Sequence, residues 1–290
     1  MHDLSIVDAH VHFWNPDMFP TPWLAEVPAL NRPFGLAEYD AQTAELPLSG
    51  MVYVEVDVAP QFALLEAEYI VGLATHDPRL QGIVATAPVQ YGKQLRIYLD
   101  ALQKLGPLIK GVRRNLQGEI DPGYCLQEPF VQGMQLLAEY EYSFDICIRH
   151  EQLPAITELV RRCPDVTFML DHCGKPNIRE QVLDSWRVNI ERLAALPNVC
   201  CKLSGLITEA DPQQWRIADL VPYVAHALTV FGEQRILFGG DWPVMLQAGS
   251  YKQWVETVTQ LIAHLPEATQ RAIWRENAQR YYRLCSEDAS

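Results

Sequence analysis

The 290-residue chain has no Cys-x-x-Cys pair, no Gly-x-Gly-x-x-Gly turn and no apolar run approaching the length of a membrane span. Its seven cysteines, at 125, 147, 163, 173, 200, 201 and 285, are odd in number. Cys147, Cys200 and Cys201 lie in apolar runs, where a thiol acts as a small buried hydrophobe. A disulfide framework is therefore not expected, and a reducing, cytoplasmic setting is. The opening Met-His-Asp-Leu-Ser has no basic stretch followed by an apolar one, so no secretory signal is expected. Positive charge is also scarce. Lys and Arg number 23 against 36 Asp and Glu, a net charge of −13, which argues against a nucleic-acid footprint and a polybasic membrane patch. Low-complexity segments, charge blocks and Pro/Gly linkers are missing too, so residues 1–290 read as one domain.

What is present is alternation. Short apolar runs predict eight strands: Leu4–His10, Met51–Asp57, Gly82–Ala87, Leu108–Arg113, Phe144–Arg149, Thr167–His172, Val199–Ser204 and Arg235–Gly240. Apolar residues at helical spacing fill Gln61–Thr75, Lys93–Leu105, Pro129–Tyr140, Leu153–Arg162, Gln181–Leu196, Ile217–Phe231, Tyr251–His264 and Pro266–Leu284. Strands alternating with helices imply a parallel sheet, and eight such units imply an α/β single-domain (β/α)8 TIM-like barrel. A doubly wound open sheet is the alternative, but two His stand where its glycine-rich turn would follow the first strand. The stretch Asn15–Pro47 contains six prolines and reads as a loop over the barrel mouth.

Barrel enzymes gather reactive groups at the C-terminal ends of the strands. Here those ends carry His10 and His12, then Glu55 and Asp57, Arg113 and Arg114, His150, His172, Lys202 and Ser204, and Asp241. Strict alternation puts Asp8, His10 and His12 on one face of the first strand. Two imidazoles side by side suit one metal ion, or one water and one carbonyl oxygen. His172 precedes a Gly-Lys-Pro turn; a buried, hydrogen-bonded core His is the alternative. Asp241 follows two glycines and precedes Trp242-Pro243, although Asp is also a common cap or turn residue. If the valines of Val52–Val56 face the helices, Glu55 points into the barrel, as a metal ligand or as a salt-bridge partner. Arg113, Arg114 and Lys202 are candidates for holding substrate oxygens, with at most one of the two Arg directed inward. A surface ion pair is the alternative for each Arg.

Together, Val7-Asp8-Ala9-His10-Val11-His12-Phe13-Trp14, Gly111-Val112-Arg113-Arg114-Asn115, Asp171-His172-Cys173-Gly174-Lys175-Pro176, Lys202-Leu203-Ser204-Gly205, Phe238-Gly239-Gly240-Asp241-Trp242-Pro243 and Glu276-Asn277-Ala278 resemble the amidohydrolase superfamily. The resemblance is closest to its lactonase branch, with sugar-lactone hydrolases such as fuconolactonase and rhamnonolactonase and the 2-pyrone-4,6-dicarboxylate lactonases. It implies a barrel hydrolase with His10, His12, His172 and Asp241 as the central group. It also implies one divalent metal, zinc, on His10, His12, His172 and Asp241 with Glu55 as a further candidate. Some members of the branch work without metal, so a metal-independent site is the other expectation. A binuclear centre is not expected, because Lys202 falls too late to bridge two ions.

On this reading Asp241 is general base and then general acid for opening a sugar acid lactone. His150, Arg113 or Arg114, and Lys202 orient the substrate, and Trp14, Trp23 and Trp242 wall the mouth. A dicarboxylate lactone would want several convergent Arg, and few point inward. A metal-dependent decarboxylase and a non-catalytic binding protein on the same scaffold are the competing expectations. Small-molecule substrate is the only partner implied, with a homo-oligomer left open.

Overall fold

The computed structural model describes residues 5–284. Its eight strands are β1 (Ile6–Val11), β2 (Leu48–Val54), β3 (Leu80–Thr86), β4 (Ile109–Arg113), β5 (Ser143–Ile146), β6 (Phe168–Leu170), β7 (Val199–Leu203) and β8 (Ile236–Phe238). They form one parallel sheet in chain order. Two hydrogen bonds close the ring beyond β8. The Asp241 N–H donates to the His10 carbonyl (2.7 Å) and the His12 N–H to the Trp242 carbonyl (2.8 Å). The result is a (β/α)8 barrel. Leu4 and Cys285 lie outside the described residues.

Val7, Ala9, Val52, Val54, Val84, Met169, Cys200 and Leu237 pack together inside the barrel. Ala278, Tyr282 and Leu284 of the C-terminal segment close this layer from the N-terminal end. That segment is helical as its apolar stripe requires, over Glu267–Arg271 and Asn277–Tyr281, with a π turn at Ala272–Glu276 between. The long stretch between β1 and β2 is only partly loop. It holds α1 (Leu36–Thr43), whose buried side is little more than Tyr39 and Thr43, too short a stripe to stand out in sequence.

Two expectations about strand faces are overturned. In β1, Asp8 pairs with Met51 and Val11 with Tyr53, so Ala9 and His10 together oppose one residue of β2. This bulge reverses the alternation. His10 and His12 face the barrel axis, and Asp8 faces outward. There Asp8 accepts the Tyr39 and Tyr251 hydroxyls (3.0 and 2.8 Å) and the N–H groups of His10 and Gly240 (2.9 and 2.7 Å). In β2, Val52 and Val54 belong to the inner layer, while Tyr53 faces the helix α2 (Ala63–Ala74). Several strands also stop early, β5 at Ile146, β6 at Leu170 and β8 at Phe238. The chain then turns through left-handed residues, including His172 (φ 52°) and Asp241 (φ 55°).

Behind β2, Glu66 of α2 is buried, and its Oε1 accepts both the Tyr53 hydroxyl (2.8 Å) and the Val56 N–H (3.0 Å). Burial, and then the nearby Glu55 carboxylate, push its carboxyl from an ordinary 4.5 up to about 8. Between those values the unfolded chain releases a proton that the folded chain keeps. Stability therefore falls as pH rises through that window. Glu66→Gln retains the doubly accepting oxygen and removes the ionisation. Urea unfolding should place the variant level with the parent at pH 5 and more stable by ~3 kcal/mol at pH 8. Parallel pH curves for the two proteins would contradict this.

Candidate active site

His10, His12, His172 and Asp241 meet at the C-terminal mouth of the barrel. The two imidazoles of β1 approach at 3.1 Å between Nε2 atoms. Asp241 Oδ1 lies 3.4 Å from His12 Nε2, 3.7 Å from His10 Nε2 and 3.9 Å from His172 Nε2. Two glycines make room. A Cβ on Gly239 would stand 2.9 Å from His10 Cβ, and one on Gly205, at φ +61°, 2.6 Å from His172 Nδ1.

Burial holds the His10 imidazole well below its usual range and lowers His172 to about 4, so both rings are neutral near pH 7. Burial pushes the Asp241 carboxyl up, but the facing His172, His12 and His10 rings outweigh it and hold it well below the usual range. The floor of the site thus combines the neutral His10 and His172 rings with one ionised carboxylate.

Proton placement tests whether a metal fits. His12 Nδ1 is 2.7 Å from the Val54 carbonyl oxygen, which only accepts. Its proton is therefore on Nδ1, and its Nε2 lone pair faces His10. Lys202 Nζ (3.1 Å) and Asp171 Oδ1 (3.2 Å) compete for His10 Nδ1. With the His10 proton on Nε2, it bridges to His12, and the buried Asp171 Oδ1 faces a bare ring nitrogen and has only the Lys202 ammonium, 3.0 Å away. With the proton on Nδ1, Asp171 is satisfied, and two nitrogen lone pairs converge beside Asp241. Tetrahedral zinc, with bonds of about 2.1 Å, spaces its donors about 3.4 Å apart. The observed separations of 3.1 to 3.9 Å bracket that value. His10, His172 and Asp241 also form a group of candidate ligands with all donor atoms within 4.8 Å of one another. The set can hold one divalent ion, with Asp171 and the Val54 carbonyl orienting the ligating rings.

Glu55 does not join this set. Its carboxylate accepts Arg113 Nε (2.5 Å), the Thr86 hydroxyl (2.8 Å) and the Asp57 N–H (2.6 Å). Once β2 ends at Val54, nothing aims Glu55 along the barrel axis, so it is the salt-bridge partner of Arg113. Lys202 is likewise displaced from the substrate side. It is fully buried beneath the cluster, with Nζ 2.5 Å from Asp145 and 3.0 Å from Asp171.

A cavity of about 350 Å³ opens above the cluster. Trp14 and Trp23 form an aromatic wall, and Asn115, Gln117, Arg149 and Lys175 a polar one. Arg113 reaches the cavity floor, where Glu55 and Asp171 already balance its charge. Three expected substrate contacts do not line it. Arg114 turns away to Glu119 and the Tyr124 ring. His150 lies in an adjoining groove beside Glu151, because β5 ends four residues earlier and alternation no longer applies; Arg149 takes the cavity position. Trp242 is buried outside the barrel wall among Phe13, Phe34 and Tyr39. Arg149, Gln117 and Lys175 were not singled out as site residues from the sequence. All three sit in loops, where no periodicity marks direction.

The amidohydrolase family model matches residues 7–284. The chain belongs to the amidohydrolase family. This amidohydrolase is 30% identical to an L-fucono-1,5-lactonase of Burkholderia multivorans, over 96% of each chain. An L-fucono-1,5-lactonase of Burkholderia ambifaria is 28% identical over 96% of this chain and 95% of the other. The crystal structure of an amidohydrolase from Burkholderia multivorans with bound Zn matches with a TM-score of 0.88 at 29% identity, covering 97% of this chain and 100% of that one. A putative 2-pyrone-4,6-dicarboxylic acid hydrolase from Pseudomonas putida shares the fold at TM-score 0.74 and 20% identity, over 98% of this chain and 100% of that one. The amidohydrolase is a hydrolytic enzyme. No helix among its described residues is long and apolar enough to cross a membrane.

Proposed function

We propose that this amidohydrolase is a cytoplasmic enzyme that opens the ring of a sugar acid lactone, such as a fucono-, rhamnono- or galactonolactone. The observation that carries the reading is the convergence of three imidazoles and one ionised carboxylate below a polar, tryptophan-walled cavity. The likeness to L-fucono-1,5-lactonases along nearly the whole chain supports the substrate class.

Asp241 accepts a proton from water as its oxygen attacks the lactone carbonyl carbon. The carbon–oxygen ring bond then breaks, and Asp241 returns the proton to the leaving ring oxygen. The new acid loses its own proton to solvent and leaves as a carboxylate. His10, His12, His172 and Asp241 would hold one zinc ion, which when bound supplies carbonyl polarisation and a more acidic water. Trp14 and Trp23 offer faces for the apolar side of a sugar ring, and Asn115, Gln117 and Lys175 offer hydrogen bonds to its hydroxyls. Arg113, neutralised by two carboxylates, is a weak anchor for a substrate carboxylate.

A panel of aldonolactones, followed by acid release with a pH indicator, tests the reading together with metal analysis of the protein. At least one lactone should be opened with kcat/KM above about 10⁴ M⁻¹s⁻¹. Prolonged chelation should lower that rate at least tenfold, and zinc should restore it. No acid release from any aldonolactone, or carbon dioxide release from an aromatic acid instead, would sink the proposal.

A further inference from the structure

Beside the main cavity, on the same barrel face, lies a second groove of about 280 Å³. Its walls come from three successive strand-to-helix connections: Arg149 and His150 after β5, Lys175 and Arg179 after β6, and Thr208 and Glu209 of a short helix after β7. Arg149 and Lys175 line both spaces, so the two are contiguous. In a chain of net charge −13, a lining with Arg149, Lys175 and Arg179 against Glu151 and Glu209 leaves a small positive excess. Two acids stand near. Glu209 lies 3.9 Å from Lys175, and the exposed Glu151 lies 3.3 Å from His150. The Arg149 and Arg179 side chains make no hydrogen bond or ion pair with an acceptor among the described residues. Both are exposed, and Arg149 acts on Glu209 only at longer range, opposing the rise that burial gives its carboxyl.

Lactone hydrolysis changes charge. A neutral ring enters, and a carboxylate forms beside the ionised Asp241, in a cavity that Glu26 and Asp57 also line. That anion has the Arg149–Lys175 wall within the same cavity to receive it. We propose that the groove receives the carboxylate of the ring-opened product: Arg149 and Lys175 take it at the junction, and Arg179 holds it beyond. The choice of anion rests on the lactone reading; the charge of the groove does not.

Calorimetric titration of the whole protein with an open-chain aldonate, and with sulfate, tests the proposal. Arg149→Gln and Arg179→Gln should each weaken aldonate binding about fivefold or more. Glu151→Gln should tighten it, a gain that a merely structural role would not give. Binding should also weaken as salt rises. In kinetic assays the aldonate inhibition constant should rise by a larger factor than the lactone KM in both Arg variants. Aldonate affinity indifferent to all three substitutions, or sulfate binding as tightly as aldonate, would overturn the proposal. So would a KM that rises in step with the inhibition constant in Arg179→Gln, since the groove would then be a substrate subsite. If no lactone is turned over, calorimetry still decides. Aldonate binding that follows the three substitutions upholds the groove and sinks only the lactone reading.

Discussion

Asp241→Asn is expected to lower lactone turnover by ~10³-fold or more while leaving the barrel folded. The substitution is nearly isosteric, and Asn is among the few residues that accept the left-handed backbone found at this position, φ 55°. The Asp241 N–H bond to His10 that helps close the barrel is a backbone contact and survives. What is lost is the charge. The amide cannot take the proton of the attacking water, and it offers the imidazole cluster a dipole in place of a carboxylate. Thermal unfolding should shift by only a few degrees, and kcat should collapse. A variant with near-normal kcat would remove Asp241 from the mechanism.

The barrel was legible because its signal is redundant. Eight apolar runs separated by amphipathic helices leave few alternatives, and an error in one run does not change the class. His10, His12, His172 and Asp241 were legible for a related reason: each follows an apolar run, and strand ends in a parallel barrel share one rim. Direction was harder. The bulge at Ala9–His10 has no mark in the sequence, yet it decides that Asp8 leaves the site and His10 enters it. The valines of β2 fit either face, and the inner layer claimed them, which left Glu55 to Arg113. Beyond strand ends periodicity stops carrying information. His150, expected at the substrate, leaves the cavity to Arg149 for that reason, and Lys175 enters it from a left-handed turn (φ 48°). Trp242, although adjacent to Asp241, is drawn outward by Phe13, Phe34 and Tyr39.

Lys202→Met should cost the largest share of stability of any change considered, ~3–5 kcal/mol at pH 7. The ammonium is fully buried between Asp145 and Asp171, which are themselves fully buried, and Tyr282 donates to Asp145 (2.7 Å) from the C-terminal segment. Burial lowers the lysine, but the two carboxylates outweigh it, and the pair keeps Lys202 charged. Burial already pushes Asp145 up to about 6 despite that partner. Met fills the same space and leaves two carboxylates facing without a cation between them. An unpaired buried carboxylate has a folded pKa raised above its unfolded value. Its stability is present in acid and lost as pH rises. The deficit of the variant should therefore be largest at pH 7–8 and shrink by pH 5, as Asp145 takes up a proton. A second change, Asp145→Asn, should recover part of the loss at pH 7, because the amide keeps an acceptor for Tyr282 without a charge. Urea unfolding of the parent, single and double variants at both pH values measures each step. A deficit under about 1 kcal/mol, or one that does not change with pH, would show that Lys202 is held by packing and does not balance the buried acids beneath His10.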